Sequence, residues 1–314
     1  MIPAMGSARE ELGRALPGLT VRSPTMDDVA ATTAVIAACE AHAHGVAEIE
    51  ADEVAESWAR PTMDLASDVV LVLDGGSVVA CAETYRGRCD GYVLPSHRGR
   101  GVGTALVEWW TARAGEHGLA LAGQTVSDDD ACAVALLQGL GCTVRHTSWV
   151  LQYPLGDEPP AAADPPEGIA LRLLRPGEER ALFHLIDDAF AHWEGRQRAV
   201  YEDWAASTVA SPRWEPWMGV VAVESDALVG AAVLRRYADE GWVDQVAVCA
   251  SHQRRGIGRA LLQHTFGYFH GRAPAVGLST DPRTGALDLY LRVGMTVRLT
   301  YRRWSRPTDA RLPG

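Results

Sequence analysis

Residues 242–263 read WVDQVAVCASHQRRGIGRALLQ, and this stretch decides the fold. Its first part, Trp242–Val248, is short, apolar and rich in valine, which is typical of a buried strand. Its last part, from Arg259 onward, is rich in alanine and leucine at helical spacing. The turn between them, Gln253–Gly258, contains two glycines and leads into a helix start, where unpaired N–H groups and the helix dipole favour an anion. The stretch therefore predicts a strand, a phosphate-binding turn and a helix.

The same pattern occurs earlier in the chain, as GYVLPSHRGRGVGTAL at residues 91–106. A shift of 155 positions places Gly101 on Gly256. An internal repeat of this kind indicates one fold written twice. Each half is expected to be an α/β domain, because hairpin signals such as Asp-Gly-Gly at residues 74–76 alternate with helical segments.

A segment rich in proline and alanine separates the two halves. It covers residues 156–168 and has the composition of a linker. The sequence thus predicts an N-terminal domain over residues 1–155 and a C-terminal domain over residues 169–314. The length of 314 residues agrees with two domains, since a single hydrophobic core rarely grows beyond about 250–300 residues.

The composition indicates a soluble globular protein and argues against several classes of function. The net charge is −11, which argues against a general role in nucleic-acid binding. No apolar run approaches the roughly 20 residues that cross a bilayer, and charged side chains near the start replace a secretory leader, so no membrane association is expected. The six cysteines show no zinc-site spacing, so no metal is expected. The default location is the cytoplasm, and either a monomer or a homodimer is expected.

Two common phosphate motifs do not fit the turn. A dinucleotide fingerprint needs a third glycine where Leu261 stands, and a P-loop needs a lysine, which the chain lacks altogether. The pattern Gln/Arg-x-x-Gly-x-Gly instead resembles the pyrophosphate loop of the GNAT superfamily of acyl-CoA N-acyltransferases. The resemblance covers nearly the whole chain and implies two tandem GNAT-like α/β domains, each with a mixed, mostly antiparallel sheet flanked by helices. It also implies acetyl-CoA as the co-substrate and a primary amine of a small molecule or a peptide as the acceptor.

The resemblance assigns the residues that would hold the cofactor. In the C-terminal copy they are the turn itself and two strand residues whose amides would polarise the acyl carbonyl. These residues are Val246, Val248, Gln253, Arg254, Arg255, Gly256, Ile257, Gly258 and Arg259. In the N-terminal copy the matching positions are Arg98, Gly101 and Gly103. The residues alone leave open that both valines are ordinary core residues.

A tyrosine distinguishes the two copies. The family often carries the acid for the thiolate in an Ala-x-x-Leu-Tyr-x-x-x-Gly pattern, and residues 286–294 match it with Tyr290. A phenol can donate a proton to a leaving thiolate near neutral pH, and a buried structural tyrosine is the alternative. The N-terminal copy has Leu137 at the aligned position, and leucine cannot donate a proton. The C-terminal domain is therefore expected to be catalytic, and the N-terminal domain is expected to be degenerate with a CoA-shaped cleft.

Two carboxylates are candidates for the general base. Glu240 comes first, because the resemblance places it near a glutamate that acts through water in the family, and Asp244 comes second. Strand alternation is expected to place Asp244 on the same side as Val246 and Val248. The alternative for both carboxylates is a solvated position at a strand edge.

The resemblance implies that the segment after the first strand of the C-terminal domain, which is rich in aromatic residues, closes over the acceptor amine. The predicted substrate-binding residues are His192, Trp193, Glu194, Tyr201 and Trp204. Packing in the core is the alternative for each tryptophan. The expected reaction is direct attack of the amine on acetyl-CoA without a covalent enzyme intermediate, because no cysteine is placed to act as a nucleophile.

Two other functions remain open from the sequence. A non-catalytic acyl-CoA or metabolite-binding protein would keep both turns but would not need Tyr290. An N-acyltransferase that uses a longer donor, such as malonyl- or succinyl-CoA, also agrees with the pattern.

Overall fold

The computed structural model describes residues 8–191 and 197–308, and the helices and strands below are those of these ranges. The helices are α1 (Ala8–Ala15), α2 (Val29–His44), α3 (Ala51–Trp58), α4 (Leu65–Asp68), α5 (Val102–Glu116), α6 (Ala131–Gly139), α7 (Glu179–Ala189), α8 (Tyr201–Ala206), α9 (Ile257–Phe269) and α10 (Leu287–Arg292). The strands are β1 (Thr20–Arg22), β2 (Val69–Asp74), β3 (Ser77–Tyr85), β4 (Arg88–Val93), β5 (Leu121–Ser127), β6 (Thr143–Pro154), β7 (Ala170–Leu173), β8 (Gly219–Glu224), β9 (Ala227–Arg236), β10 (Gly241–Val248), β11 (Ala275–Thr280) and β12 (Thr296–Pro307). None of the helices in these ranges has the length and apolar character needed to cross a membrane.

The chain forms two compact units that exchange their terminal strands. The first unit contains the described residues up to Thr147 and those from Tyr301 onward, and the second unit contains those from Ser148 to Thr300. The predicted domains divide the chain at residues 155 and 168 instead, because that prediction follows the repeat in the sequence. Each unit therefore includes a strand segment that the repeat assigns to the other half.

The sheet of the first unit has the strand order β1-β2-β3-β4-β5-β12. Its neighbours are antiparallel except β4 and β5, which are parallel with Arg88 opposite Gly123. Residues 301–307 of β12, which the repeat assigns to the C-terminal half, pair with β5. The N-terminal half alone therefore lacks the last strand of the sheet in which it lies.

The sheet of the second unit has the matching order β7-β8-β9-β10-β11-β6. Here β10 and β11 are the parallel neighbours, with Gly241 opposite Val276 and Trp242 opposite Gly277. Within the described residues, the rest of β10 pairs only with β9 up to Val248. The two parallel strands thus separate toward their carboxyl ends, and the strand-to-helix turn follows at the open end of the gap.

Helices cover both faces of each sheet. In the second unit, α9 packs on one face through the fully buried Leu261 and Leu262, and α7 and α8 cover the other face. In the first unit, α5 packs on one face through Trp109 and Trp110, whereas α2 and α3 lie on the other. Both units thus confirm the predicted α/β class, with mostly antiparallel sheets between helices.

Candidate active site

The turn that follows β10 presents bare backbone at the start of α9. Gly256 caps the helix with φ +90°, a left-handed conformation that an L side chain rarely adopts. A Cβ atom on Gly258 would lie 3.7 Å from the Leu289 side chain and 3.8 Å from Val248, so space remains beside the helix start. The amides of the first helical turn are left without helical partners here, which suits a phosphate.

Arg254 adds a positive charge to this turn. It adopts φ +61°, which is uncommon for a residue with a side chain, and it is exposed. No hydrogen bond or ion pair holds it among the residues that the structure describes. The side chain is therefore available to an anion beside the bare amides.

The other predicted residues of the turn have structural partners. The Nε2 atom of Gln253 donates to the carbonyl oxygen of Val248 at 3.2 Å and so closes the turn onto the end of β10. Arg259 donates from Nε to Oε1 of Gln263 at 3.1 Å along the exposed face of α9. Ile257 is buried in the core beneath the helix start. These residues fix the shape of the turn.

A carboxylate on the β8–β9 hairpin braces the same turn. Oε1 of Glu224 accepts from Arg255 Nη2 at 2.8 Å, and Oε2 lies 3.0 Å from His252 Nε2. The guanidinium of Arg255 and the imidazole of His252 hold the pKa of Glu224 below its ordinary value. Because Arg255 is paired with Glu224, its positive charge is only partly available to a bound phosphate.

The first unit repeats this brace. Oδ2 of Asp74, at the end of β2, lies 3.2 Å from His97 Nε2 and 3.3 Å from Arg100 Nη1. Sequence reasoning missed both braces, although the acidic residue that ends the first hairpin strand in each copy was a visible signal. The two turns therefore share their backbone form and their support.

The backbone amides of Val246 and Val248 face the gap between β10 and β11. The N–H of Cys249 donates to Val229 of the neighbouring hairpin at 2.9 Å. Because successive N–H groups of a strand point to opposite edges, the N–H of Val248 points away from β9, and that of Val246 does the same. The direction agrees with the predicted use of these amides.

Tyr290 lies on α10 beside the turn, with only 8% of its surface exposed. Its hydroxyl forms a hydrogen bond with the side chain of Thr280, at the end of β11. The Oγ1 atom of Thr280 is in turn 2.9 Å from Oγ1 of Thr284. Burial raises the pKa of Tyr290 to about 12, against the opposing effect of the Thr280 hydrogen bond. The phenol therefore keeps its proton at neutral pH, as a proton donor must.

Asp244 does not lie where strand alternation predicts it. The register of β10 against β9 shifts between Val243 and Gln245, so Asp244 is the extra residue of a β-bulge. Its Oδ1 atom lies 3.4 Å from Nε of Arg235, which donates from Nη2 to the Ser207 carbonyl just after α8. The expectation that Asp244 shares a side with Val246 and Val248 is wrong, because the inserted residue turns its carboxylate toward α8.

Glu240 lies at the start of β10, at the closed end of the gap. Its Oε1 atom accepts from Gln152 Nε2 at 2.9 Å, and its Oε2 atom lies 3.6 Å from Arg298 Nη2. A Cβ atom on Gly277 would lie 2.8 Å from Oε1, so the absence of a side chain there makes room for this carboxylate. The geometry fixes Glu240 beside the apex of the gap.

The aromatic residues predicted to bind the acceptor divide into two groups. Tyr201 and Trp204 pack with Phe183 between α7 and α8. Trp204 also donates from Nε1 to Gln245 Oε1 at 3.1 Å. The structure thus places this pair in the helix core that supports β10. His192, Trp193 and Glu194 lie outside the described residues.

The first unit contains a cavity of about 590 Å³ at the equivalent gap. Arg98, Gly101 and Gly103 all line it. Arg98 forms a two-bond ion pair with Asp130, with distances of 3.2 and 3.3 Å. Gly101 caps α5 with φ +81°, and a Cβ on Gly103 would come within 2.8 Å of Leu136. Leu137 also lines the cavity, so the equivalent of the phenol is an aliphatic side chain.

Thr280 is a further site residue that sequence reasoning missed. No motif marks it, because its role depends on contact with Tyr290 ten positions later. In the part of the chain that the structure describes, no group of three His, Cys, Asp or Glu residues is arranged to hold a metal ion.

Comparison with known proteins agrees with this geometry. A model described as "Acetyltransferase (GNAT) family" matches residues 180–295, and one described as "Acetyltransferase (GNAT) domain" matches residues 66–141. A GCN5-related N-acetyltransferase structure from Sphaerobacter thermophilus is 31% identical with a TM-score of 0.75, and the match covers 93% of this chain and 96% of that one.

Two further relatives extend the comparison. Mycothiol acetyltransferase of Tsukamurella paurometabola is 30% identical over 230 residues, which are 67% of this chain and 75% of the relative. A tandem GNAT protein from the clavulanic acid biosynthesis pathway shares the fold at 15% identity and a TM-score of 0.68, over 92% of this chain and 98% of that one. These findings confirm the predicted family and its tandem layout. The chain belongs to the GNAT superfamily and is an acyl-CoA-dependent N-acetyltransferase with two GNAT domains in tandem.

Proposed function

We propose that the second unit transfers an acetyl group from acetyl-CoA to a primary amine of a small molecule, by direct attack of the amine. One observation carries the proposal: a buried, protonated phenol lies in the same unit as a bare glycine turn. The residues of the turn fit the pyrophosphate, since amides at a helix start and the exposed Arg254 both favour anions. The C-terminal half, residues 169–314, is then the catalytic domain, and the N-terminal half, residues 1–155, is degenerate.

The roles of the site residues follow from the needs of acyl transfer. The N–H groups of Val246 and Val248 face the gap, where they would polarise the thioester carbonyl and stabilise the charge that develops on its oxygen. Tyr290 would donate its proton to the departing thiolate sulfur. Thr280 holds the phenol in place through its hydrogen bond. The chain thus supplies a donor at each atom where negative charge appears.

The amine must lose a proton before or during its attack. We retain Glu240 as the first candidate for the base, acting through water, because it lies beside the apex of the gap. Its contacts with Gln152 and Arg298 hold the carboxylate in one orientation. Asp244 remains the second candidate, although its carboxylate faces Arg235.

The acceptor is proposed to be a small molecule that carries a primary amine. Several relatives are named mycothiol acetyltransferase, and their similarity to this chain supports a small molecule, not a protein, as the acceptor. His192, Trp193 and Glu194 remain proposed contacts of the acceptor. Tyr201 and Trp204 would act on it only through the position of β10, because they pack in the helix core.

The test is release of the CoA thiol from acetyl-CoA in the presence of an amine panel that includes the amine substrate of these relatives. With the best acceptor, Tyr290→Phe should lower kcat about 100-fold or more, the usual contribution of general acid catalysis, and change acetyl-CoA binding little. Tyr268→Phe is the matched control, because it removes a half-buried hydroxyl on α9 of the same unit. Equal turnover of wild type and Tyr290→Phe would remove the phenol from the mechanism.

A second function is proposed for the first unit, namely binding of a CoA-type ligand without catalysis. The observation that favours it is the cavity of about 590 Å³ beside a second glycine turn, with Leu137 in place of the phenol. Arg98, Gly101 and Gly103 would line the site for the ligand. If the second unit also showed no turnover, both units of this chain would be binding domains without catalytic activity.

A further inference from the structure

The inner end of the first cavity differs from the active site in chemistry. Val126 follows Gly123 by three residues, just as Thr280 follows Gly277, and both glycines face the parallel partner strand. Leu137 is the counterpart of Tyr290 in the aligned pattern. The two hydroxyl groups that meet in the second unit are therefore both replaced by aliphatic side chains. Both replacements line the cavity.

The helix beside the cavity extends this apolar wall. Leu106, Val107 and Trp110 of α5 line the space, and all three are buried. Trp110 stands nine residues after its glycine cap, where α9 has Thr265, whose hydroxyl donates to its own helix at 2.7 Å. The Nε1 group of Trp110 has no hydrogen-bond partner within the described residues. A ligand oxygen that reached it would satisfy a buried donor.

A charged pair lines the cavity beside the glycine turn, and this part of the cavity is called its mouth. Arg98 and Asp130 form their ion pair there, and Arg98 also forms a hydrogen bond with the thiol of Cys132. Gly101 places the start of α5 at the same mouth. The cavity thus combines a charged pair at the glycine turn with an aliphatic and aromatic wall from α5, Val126 and Leu137, and these two features suit a molecule with a polar head and an apolar tail.

We propose that the first cavity binds, without reacting with it, an acyl chain longer than acetyl, with its polar head at the mouth. Its volume of about 590 Å³ is in the usual range of small-molecule sites, roughly 300–1,000 Å³. No proton donor replaces Tyr290 at Leu137, so a thioester bound there keeps its acyl group. The head can belong to an acyl-CoA or to a free carboxylic acid, and the experiment separates these two sources.

Cys132 provides a local reporter of occupancy. It is exposed, lines the cavity and contacts Arg98, whereas Cys39, the other cysteine that lines the cavity, is buried. Iodoacetamide alkylation of the full chain, followed by mass spectrometry of the Cys132 peptide, would be timed with octanoyl-CoA, acetyl-CoA, CoA or octanoate. The readout lies in the first unit, so it does not depend on turnover in the second.

Octanoyl-CoA should protect Cys132 at a concentration at least about 50-fold lower than acetyl-CoA. Each buried methylene is worth a factor of about four in affinity, and burying about half of the six added methylenes gives this value. Equal protection by octanoate would support the chain site and identify the free acid as its ligand. Equal protection by CoA, acetyl-CoA and octanoyl-CoA would overturn the proposal, and so would protection by none of the four.

Two variants test the inner end directly. Leu137→Tyr introduces the residue of the second unit and should weaken protection by octanoyl-CoA about tenfold or more, whereas Leu121→Tyr, at an exposed position outside the cavity, should not. Val126→Thr is the second test if Leu137→Tyr does not fold, because threonine has nearly the same shape as valine. Its buried hydroxyl should weaken the protection of Cys132 by octanoyl-CoA at least about fivefold. Unchanged protection in a folded Val126→Thr would contradict the proposed position of the chain. The CoA-release assay tests catalysis in the second unit and the Cys132 assay tests binding in the first unit. A failure of the proposed catalysis can therefore be told apart from a failure of the proposed acyl-chain site.

Discussion

Tyr290 should make the protein lose stability when the pH rises above about 10. Burial raises its pKa to about 12 from an ordinary value of 10, and the hydrogen bond with Thr280 opposes part of this rise. The folded protein therefore holds the phenolic proton more tightly than the unfolded chain does. This contribution to the free energy of unfolding is complete below the unfolded pKa and is lost as the pH rises through the folded pKa.

The size of the effect follows from the shift. About two pKa units correspond to about 3 kcal/mol, because one unit is worth about 1.4 kcal/mol. Little discount for solvent applies, since only 8% of the residue is exposed. Tyr290→Phe lacks the titrating group, so wild type should lose about 3 kcal/mol in total relative to this variant, and about 2 kcal/mol of this loss should fall between pH 10 and pH 12. Other groups that titrate in the same pH range contribute equally to the free energy of unfolding of both proteins, so their contributions cancel in the difference.

Urea unfolding at half-unit intervals of pH would measure this difference. Tyr153→Phe serves as the control, because it removes a hydroxyl from the same unit and keeps the ring that stacks on Phe266 at 4.5 Å. This variant keeps Tyr290, so it should still show the loss of stability above pH 10 that Tyr290→Phe lacks. If wild type and Tyr290→Phe lost stability in parallel, Tyr290 would not be buried as a protonated phenol in solution. The argument for it as the proton donor would then fail.

Three further predictions concern the turn, the threonine and the exchanged strands. Gly256→Val should abolish turnover and remove the second unit's share of acetyl-CoA binding in calorimetry, because valine is strained at φ +90° and covers the bare amides. Gly101→Val should leave turnover intact, and the reverse result would place the active site in the first unit. Thr280→Val should lower kcat about tenfold with little change in the KM for acetyl-CoA, and Thr280→Ser should restore most of it; a loss confined to KM would contradict a role in holding the phenol. A chain that ends at residue 155 should give no cooperative unfolding transition by circular dichroism, and a peptide of residues 296–308 should restore it, unless β12 is dispensable.

The sequence predicted the elements around residues 242–263 well, because their pattern is local. A valine-rich run, two glycines and an apolar helix face each report on their own neighbourhood, and the structure places a strand, a turn and a helix there. The fold class followed from the repeat for the same reason. The matching pattern around Tyr290 is also local, and the structure puts this residue on a short helix beside the turn.

Other features could not be predicted because they depend on partners distant in the chain. The bulge at Asp244 inserts one residue into β10, and an alternating pattern of residue types does not show such an insertion. The sequence also does not predict that β6 and β12 are exchanged between the two units. Both strands end their repeat with the same kind of pattern, so the sequence does not determine which parallel pair each one joins.

The differences between the two copies are coupled through one hydrogen bond. In the second unit, Tyr290 and Thr280 satisfy each other in a buried place. Replacing Thr280 by an aliphatic residue would take this partner from the buried Tyr290 hydroxyl, at a cost of about 1–3 kcal/mol, whereas Thr280 would keep Thr284 as a partner if Tyr290 were replaced. The first unit avoids this cost, because Leu137 and Val126 are both aliphatic. A leucine in place of the phenol is therefore expected wherever the threonine is replaced by valine, and Leu137→Tyr alone should destabilise the protein more than Leu137→Tyr combined with Val126→Thr.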